Sequence, residues 1–192
     1  MSFWTETDPT KIQEPKRKFR FHVYFDGLDS PILWWAKTAT KPSFQIASAE
    51  HKYLNHTFYY PGSITWQDVT ITLVDPIDPD MAASLSDIVQ LSGYQPPTSQ
   101  DGSDEPTLSK DKAVGALGKV YVTQLDSDGV DLETWTLNNA WISELKYGDL
   151  EYGSDELTEL SITMKYDWAT ITSEAAGSSA KKGSGGKEFF KI

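Results

Sequence analysis

The stretch from Asn138 to Thr170, NNAWISELKYGDLEYGSDELTELSITMKYDWAT, decides how this chain is read. It opens with a strand-like run from Trp141 to Tyr147 and passes through a polar region rich in Gly and Asp. It ends in a strict alternation: Leu160, Ile162, Met164, Tyr166 and Trp168 fall on one face, and Glu159, Ser161, Thr163, Lys165 and Asp167 on the other. A period of two over that length predicts one long strand with its apolar face in a core. The opposite face carries no apolar residue and no catalytic trio. It reads as a surface that lines or coats, the first pointer to a structural protein rather than an enzyme.

Working toward the N-terminus, the same alternation recurs. Phe19, Phe21, Val23 and Phe25 against Arg20, His22 and Tyr24 predict a strand from Arg17 to Asp26, with Asp26-Gly27 as its turn. Ile32 to Thr40 reads as a second strand, with Trp34 and Trp35 on opposite faces and Pro42 at its end. Ser43 to Gly62 is extended, aromatic and weakly patterned. Two short pieces, Phe44 to Ala47 and Thr57 to Tyr60, flank the polar AEHKYLNH, and Pro61-Gly62 reads as a closing turn. Such a segment suits a projecting hairpin that docks on a neighbour, or equally a loop folded on its own barrel. Ser63 to Val74 follows as a long strand rich in β-branched residues.

One helix stands out. Asp80 is its cap, Met81, Leu85, Ile88, Val89 and Leu91 form its apolar stripe, and Gly93 stops it. Gln95 to Gly118 reads as a long polar loop. Lys119 to Leu125 and Val130 to Leu137 form a hairpin about the turn Asp126 to Gly129. Ser173 to Lys187 is rich in Gly, Ser, Ala and Lys and is expected to be mobile, with Phe189, Phe190 and Ile192 as an apolar tip. Roughly eight strands with one helix, in an order of hairpins, predict a mainly β fold. The expected form is an antiparallel β-barrel or sandwich with one flanking α-helix.

A chain of 192 residues is expected to be one domain and to bury roughly 70% of its unfolded surface. It has no cysteine, which removes disulfide and thiol chemistry. No apolar run approaches the roughly 20 residues of a membrane helix, and no leader is expected at MSFWTETDPTK. The net charge is −11, yet residues 1–20 and 172–192 are each +2, so the stretch between carries −15 and holds no Arg. That disfavours ordinary nucleic-acid binding, which relies on Lys and Arg at phosphates. An acidic surface keeps a protein soluble, or lets it face a polyanion without adhering.

Candidate chemistry is sparse. His22, His51 and His56 have no metal-pair spacing and read as surface or interface residues. Asp126, Asp128 and Asp131 surround Gly129 too closely for a calcium loop and suit a hairpin turn, while Asp101, Asp104 and Glu105 read as an acidic loop. The carboxylate pairs Asp155-Glu156 and Asp149 with Glu151 lack any companion that marks a sugar cleft. No GxSxG, glycine-rich phosphate loop or HExxH is present. No catalytic residue, metal or cofactor is therefore expected. A carbohydrate-binding β-sandwich using Trp34, Trp35 or Tyr59 stands as a competing class, and a glycan-cleaving enzyme as a third.

Three passages taken together resemble the T-even-like tail-tube family of contractile-tailed bacteriophages. They are Lys37-Thr38-Ala39-Thr40-Lys41-Pro42; Tyr53 through Gly62 into Trp66-Gln67-Asp68-Val69-Thr70-Ile71-Thr72-Leu73-Val74, followed by the helix; and Ala140-Trp141 through Gly148-Asp149-Leu150 to Ile162-Thr163-Met164-Lys165-Tyr166-Asp167-Trp168. The resemblance spans about Phe19 to Ala169. It implies a tail-tube β-barrel domain over residues 17–171; the loop insertion at 95–118 and the flexible extension at 172–192 depart from the simplest members and read as additions, and residues 1–16 read as an N-terminal arm. It further implies hexameric rings stacked into a tube inside a sheath, in a virion tail assembled in the bacterial cytoplasm. The implied partners are the chain itself, sheath, tape-measure, baseplate and tail-terminator proteins, with DNA passing through unbound and no membrane anchor. A baseplate tube initiator and the related inner tube of type VI secretion are close variants. Under this reading Glu151, Asp155, Glu159 and Asp167 are expected to line the lumen. Tyr53, Phe58 and Tyr59 in the hairpin, and Phe189, Phe190 and Ile192 in the tail, are expected to make contacts between rings or subunits.

Overall fold

A computed structural model describes residues 15–28, 32–33, 35–96, 107–173 and 187–190. The expected arm before residue 15, Trp34, the acidic residues of 101–105 and Ile192 lie outside the described residues. The chain is mainly β and antiparallel. In chain order, β1 (Phe21–Phe25), β2 (Ile32–Leu33), β3 (Ala36–Ala39), β4 (Phe44–Tyr53), β5 (His56–Trp66) and β6 (Val69–Val74) precede two helices, α1 (Met81–Leu91) and α2 (Lys110–Leu117). After them come β7 (Val120–Leu125), β8 (Asp131–Asn138), β9 (Trp141–Lys146), β10 (Glu159–Lys165), β11 (Trp168–Ser173) and β12 (Lys187–Phe189).

These strands form a six-stranded sheet ordered β12-β11-β8-β7-β1-β2, a four-stranded sheet ordered β3-β6-β10-β9, and a separate β4-β5 hairpin. Alternation places the core. Val23, Phe25, Val120, Leu137 and Ala169 from the larger sheet meet Val69, Ile71, Leu73, Leu160, Ile162 and Met164 from the smaller, all buried in one cluster. Met81, Leu85 and Ile88 of α1 and Leu117 of α2 join the same cluster. Each of the Val, Leu, Ile, Phe and Met side chains among them contributes roughly 1.5–3 kcal/mol on burial.

The predicted long strands prove to be broken, each where the chain passes between sheets or leaves for the hairpin. The alternating run from Glu159 ends at Lys165; after Tyr166-Asp167 the chain enters the other sheet as β11, so Trp168 opens a second strand. Asp167 N–H donates to the Asn138 carbonyl at 3.1 Å, which closes that corner. Ile32 to Thr40 likewise splits into β2 and β3, in different sheets. Ser63 to Val74 splits at Gln67-Asp68, and its first part belongs to the hairpin. Pro61-Gly62 is no turn: Pro61 lies inside β5 opposite Ser48, next to a register shift in which Gly62 and Ser63 of β5 oppose the single residue Ala47 of β4. The real turn is Leu54-Asn55, with Leu54 in the left-handed region (φ 51°). Phe19 lies ahead of β1 and is 74% exposed, so it does not continue the inward face.

The helix α1 starts as expected, with Asp80 Oδ1 accepting from Ala83 N–H at 2.9 Å. A second helix lies where the sequence suggested only loop. In α2 the Ser109 hydroxyl accepts from Lys112 N–H, and Gly118 (φ 68°) ends the helix. KDKAVGAL has no apolar stripe, so periodicity could not reveal it; the cap and the burial of Leu117 form it instead. Its end is held against the turn after β1. Gly27 N–H donates to the Leu117 carbonyl at 3.1 Å, and a Cβ at Gly27 would stand 2.3 Å from the Ala116 carbonyl oxygen.

Candidate subunit-contact surfaces

The β4-β5 hairpin is the most exposed element. Its ten- and eleven-residue strands pair from Phe44↔Trp66 to Tyr53↔His56, and every residue of β4 is exposed. Ile46, Tyr53, Leu54, Phe58, Tyr59, Tyr60 and Ile64 are among its large apolar residues left open to solvent. Large apolar side chains left exposed together on one projecting element mark an interaction site. Tyr53, Phe58 and Tyr59, the residues nominated from sequence, all lie on the hairpin in the half nearest the tip, Tyr53 and Phe58 on one face and Tyr59 on the other. His51 and His56 sit there too, and the His56 ring packs edge-on against Phe58 with centroids 4.7 Å apart.

The hairpin root is an aromatic cluster. Phe44 and Trp66, its first register pair, have ring centroids 5.2 Å apart, and Tyr166 lies 5.8 Å from Trp66. Burial pushes the Tyr166 hydroxyl up to about 12, although the Ser43 backbone pulls the other way. Phe190 closes the cluster at 6.0 Å from Phe44 and 5.8 Å from Trp66. The segment that holds Phe190 is not a free tip: β12 pairs with β11 through Ile171↔Phe189, Thr172↔Glu188 and Ser173↔Lys187.

Beside this root, Glu133 collects three donors. It lies on the inward-facing side of β8, in register with Gln124 and Ser173. Lys16 Nζ donates to Oε2, Lys41 Nζ to Oε1 at 2.8 Å, and the Trp135 indole N–H to Oε1 at 2.6 Å. Burial pushes this carboxyl up, but the hydrogen bonds from Lys16, Lys41 and Trp135 outweigh it and hold the pKa at about 2. Lys41 also donates to Gln124 Oε1 at 2.6 Å. The cluster thus ties the linker that enters β4 and the start of the described chain to the middle of the larger sheet. Nothing in the sequence near Lys16 or Lys41 points to a partner 117 or 92 residues away.

The four acidic residues expected on one lining face occupy three different settings. Glu159 accepts an ion pair from Lys37, which raises the lysine's pKa by that hydrogen bond and by the carboxylate's charge. Asp167 is a corner residue. Lys110 and, after it, Asn139 hold its carboxyl below the usual range, with Lys110 Nζ 2.7 Å from both oxygens. Glu151 and Asp155 lie exposed in the loop between β9 and β10. The polar face of the smaller sheet is hydrophilic but mixed in charge. Beside the Lys37–Glu159 pair it carries Thr70, Thr72, Ser161, Thr163 and the pair Lys146–Glu144 at 3.2 Å.

The other edge of the smaller sheet, β9, borders a groove of about 710 Å³ lined by Ile88, Val89, Ala113, Trp141, Ile142 and Leu145. Among the described residues no group of three or more His, Cys, Asp or Glu could hold a metal ion. Asp126 Oδ1 accepts from Asp128 N–H at 2.8 Å and Val130 N–H at 2.9 Å, the geometry of a hairpin turn closed by Gly129 (φ 79°). No helix of the described residues is long and apolar enough to cross a membrane.

No protein-family model matches the sequence, and comparison with curated proteins finds no match. Solved structures do match. A chain of the PVC sheath/tube terminator, from an extracellular contractile injection system in the extended state, aligns with a TM-score of 0.62 at 14% identity, covering 84% of this chain and 99% of that one. A chain of the PVC sheath-tube complex aligns at 0.61 and 15%, covering 83% and 92%. A chain of the anti-feeding prophage baseplate aligns at 0.59 and 12%, covering 83% and 97%. The architecture and its near-full coverage of these chains agree: this protein has the tail-tube fold of contractile injection systems.

Proposed function

We infer that the chain is a structural subunit of a contractile-tail tube, assembling with copies of itself into rings that stack inside a sheath. The β4-β5 hairpin carries the reading. It projects 21 strand residues with apolar side chains on show, a surface that a self-sufficient monomer does not need and that a stacked ring would cover. The open sheet edge at β9 points the same way, since an edge is protected when a neighbour pairs with it. No catalytic role is assigned. The proposed setting is a bacteriophage tail, with hexameric rings, tape-measure, baseplate and terminator partners, and DNA passing through the lumen; a secretion or extracellular injection apparatus would use the same subunit design.

The baseplate, terminator and sheath-tube chains align about equally well, at 0.59, 0.62 and 0.61, which favours a second reading as a ring that starts or ends the tube. Negative-stain microscopy of the purified protein tests both. Long tubes are expected of a main tube subunit and isolated rings of an initiator or terminator. A compact monomer at high concentration, with neither rings nor tubes, overturns the proposal.

A further inference from the structure

The C-terminal strand completes an edge that a second copy could complete equally well. In the sheet order β12 lies outermost, so it covers backbone N–H and C=O groups of Ile171, Thr172 and Ser173 that β11 would otherwise expose. The cover is short, with three residue pairs and the Phe190 ring against Phe44 and Trp66. It is also imperfect. Phe190 is 50% exposed and holds a left-handed backbone (φ 63°), a conformation that a bulky L residue rarely adopts.

Residues 174–186 separate β11 from β12, and their sequence, EAAGSSAKKGSGG, contributes four glycines and three serines. Thirteen residues span at most about 45 Å, far enough to reach an adjacent subunit. The seat lies at the root of the hairpin proposed above to contact another copy, so a neighbour docking on the hairpin arrives beside it. Identical strands can satisfy the same edge within one chain or between chains, and a ring holds the neighbouring edge at high effective concentration.

We propose that β12 and Phe190 close the β11 edge and the Phe44–Trp66 seat within the free subunit, and that on assembly they are exchanged onto the same site of a second copy. The β11 edge is thus an interaction surface whose partner is the C-terminal strand of another chain. This rests on the tube reading, so its test must separate the two.

The absence of cysteine makes a clean experiment possible. Two full-length chains of different tag size are made, one Thr172→Cys and the other Glu188→Cys, residues that face each other in the β11-β12 register. Mixed and treated with a short bis-maleimide, they can join these two positions only between chains. The expected result is a hetero-crosslinked band roughly tenfold stronger in tubes than in the unassembled mixture, as effective concentration dictates. In a third chain carrying both cysteines, crosslinking before assembly is expected to give an intrachain product that no longer enters tubes. Tubes without the hetero-crosslink, or locked subunits that assemble like unlocked ones, overturn the exchange and leave the tube reading standing. Failure of unmodified chains to form any ring or tube overturns both.

Discussion

Asn139 Nδ2 donates to Asp167 Oδ2 at 2.8 Å, and this bond joins two corners at which the chain changes sheets, β8 to β9 and β10 to β11. Between β8 and β9 the chain leaves the larger sheet through Asn139, whose backbone is left-handed (φ 55°). Between β10 and β11 it returns through Asp167. Lys110, the first residue of α2, adds its ammonium to the same carboxylate, so the corner also seats the second helix. A residue that alternation places on a strand face is therefore a clamp between elements.

Replacing Asp167 by Ala is expected to lower stability by about 1–2 kcal/mol, the value of two or three hydrogen bonds partly screened by solvent. The folded-state pKa is depressed, so this contribution is present above the ordinary Asp range near pH 4 and is lost as pH falls below it. Urea unfolding of Asp167→Asn at pH 7 and pH 3 checks this: the variant should lack the part of the acid dependence that this site supplies.

Glu133→Gln is expected to cost about 2 kcal/mol at neutral pH, because it removes the charge on which two lysines and an indole converge. With a folded pKa of about 2, the wild-type stabilisation is complete above roughly pH 4.5 and disappears as pH falls toward 2. The denaturation midpoints of wild type and variant should therefore converge between pH 4.5 and 2. Parallel curves would show that the lysines do not hold this carboxylate.

Tyr53→Asp combined with Phe58→Asp tests the hairpin. Both side chains are exposed, at 64% and 43%, so unfolding stability should change by about 0.5 kcal/mol or less. Tube formation, judged by negative stain, should fall to isolated rings or monomers. Tubes of normal length would remove the hairpin from the stacking contact.

The proposed bore position of Glu151 and Asp155 is tested with Asp155→Cys labelled by a small gold cluster, a site free of competing thiols. Gold density along the axis of assembled tubes is expected. Gold on the outer wall would show that the loop between β9 and β10 faces the sheath side.

Much of the architecture was legible because it rests on local chemistry. Asp80 caps α1, Asp126 and Gly129 turn the β7-β8 hairpin, and the parity of Leu160, Ile162 and Met164 points inward as period two requires. The breaks were not legible. Nothing in TMKYDWAT marks the residue at which a strand leaves one sheet for another: Trp168 continues the alternation along the sequence, yet in β11 Ala169 enters the core and Trp168 takes the opposite face. Pro61-Gly62 looks like a turn in any window, yet the paired β4 strand accommodates it within β5 by a register shift. Helix α2 was hidden because a capped eight-residue helix buries one end rather than a stripe.

The sequence by itself determined the mainly β class, the placement of α1, the inward faces and the aromatic character of the projecting segment, since these follow from side-chain periodicity and turn chemistry within a few residues. Only the tertiary structure decided that Glu133 gathers Lys16 and Lys41, that Asp167 clamps Asn139 and Lys110, that Glu159 is paired with Lys37, and that Phe190 closes the hairpin root. Those contacts join residues far apart in the chain. Their partners are selected by where two sheets and a hairpin converge, which no local pattern encodes.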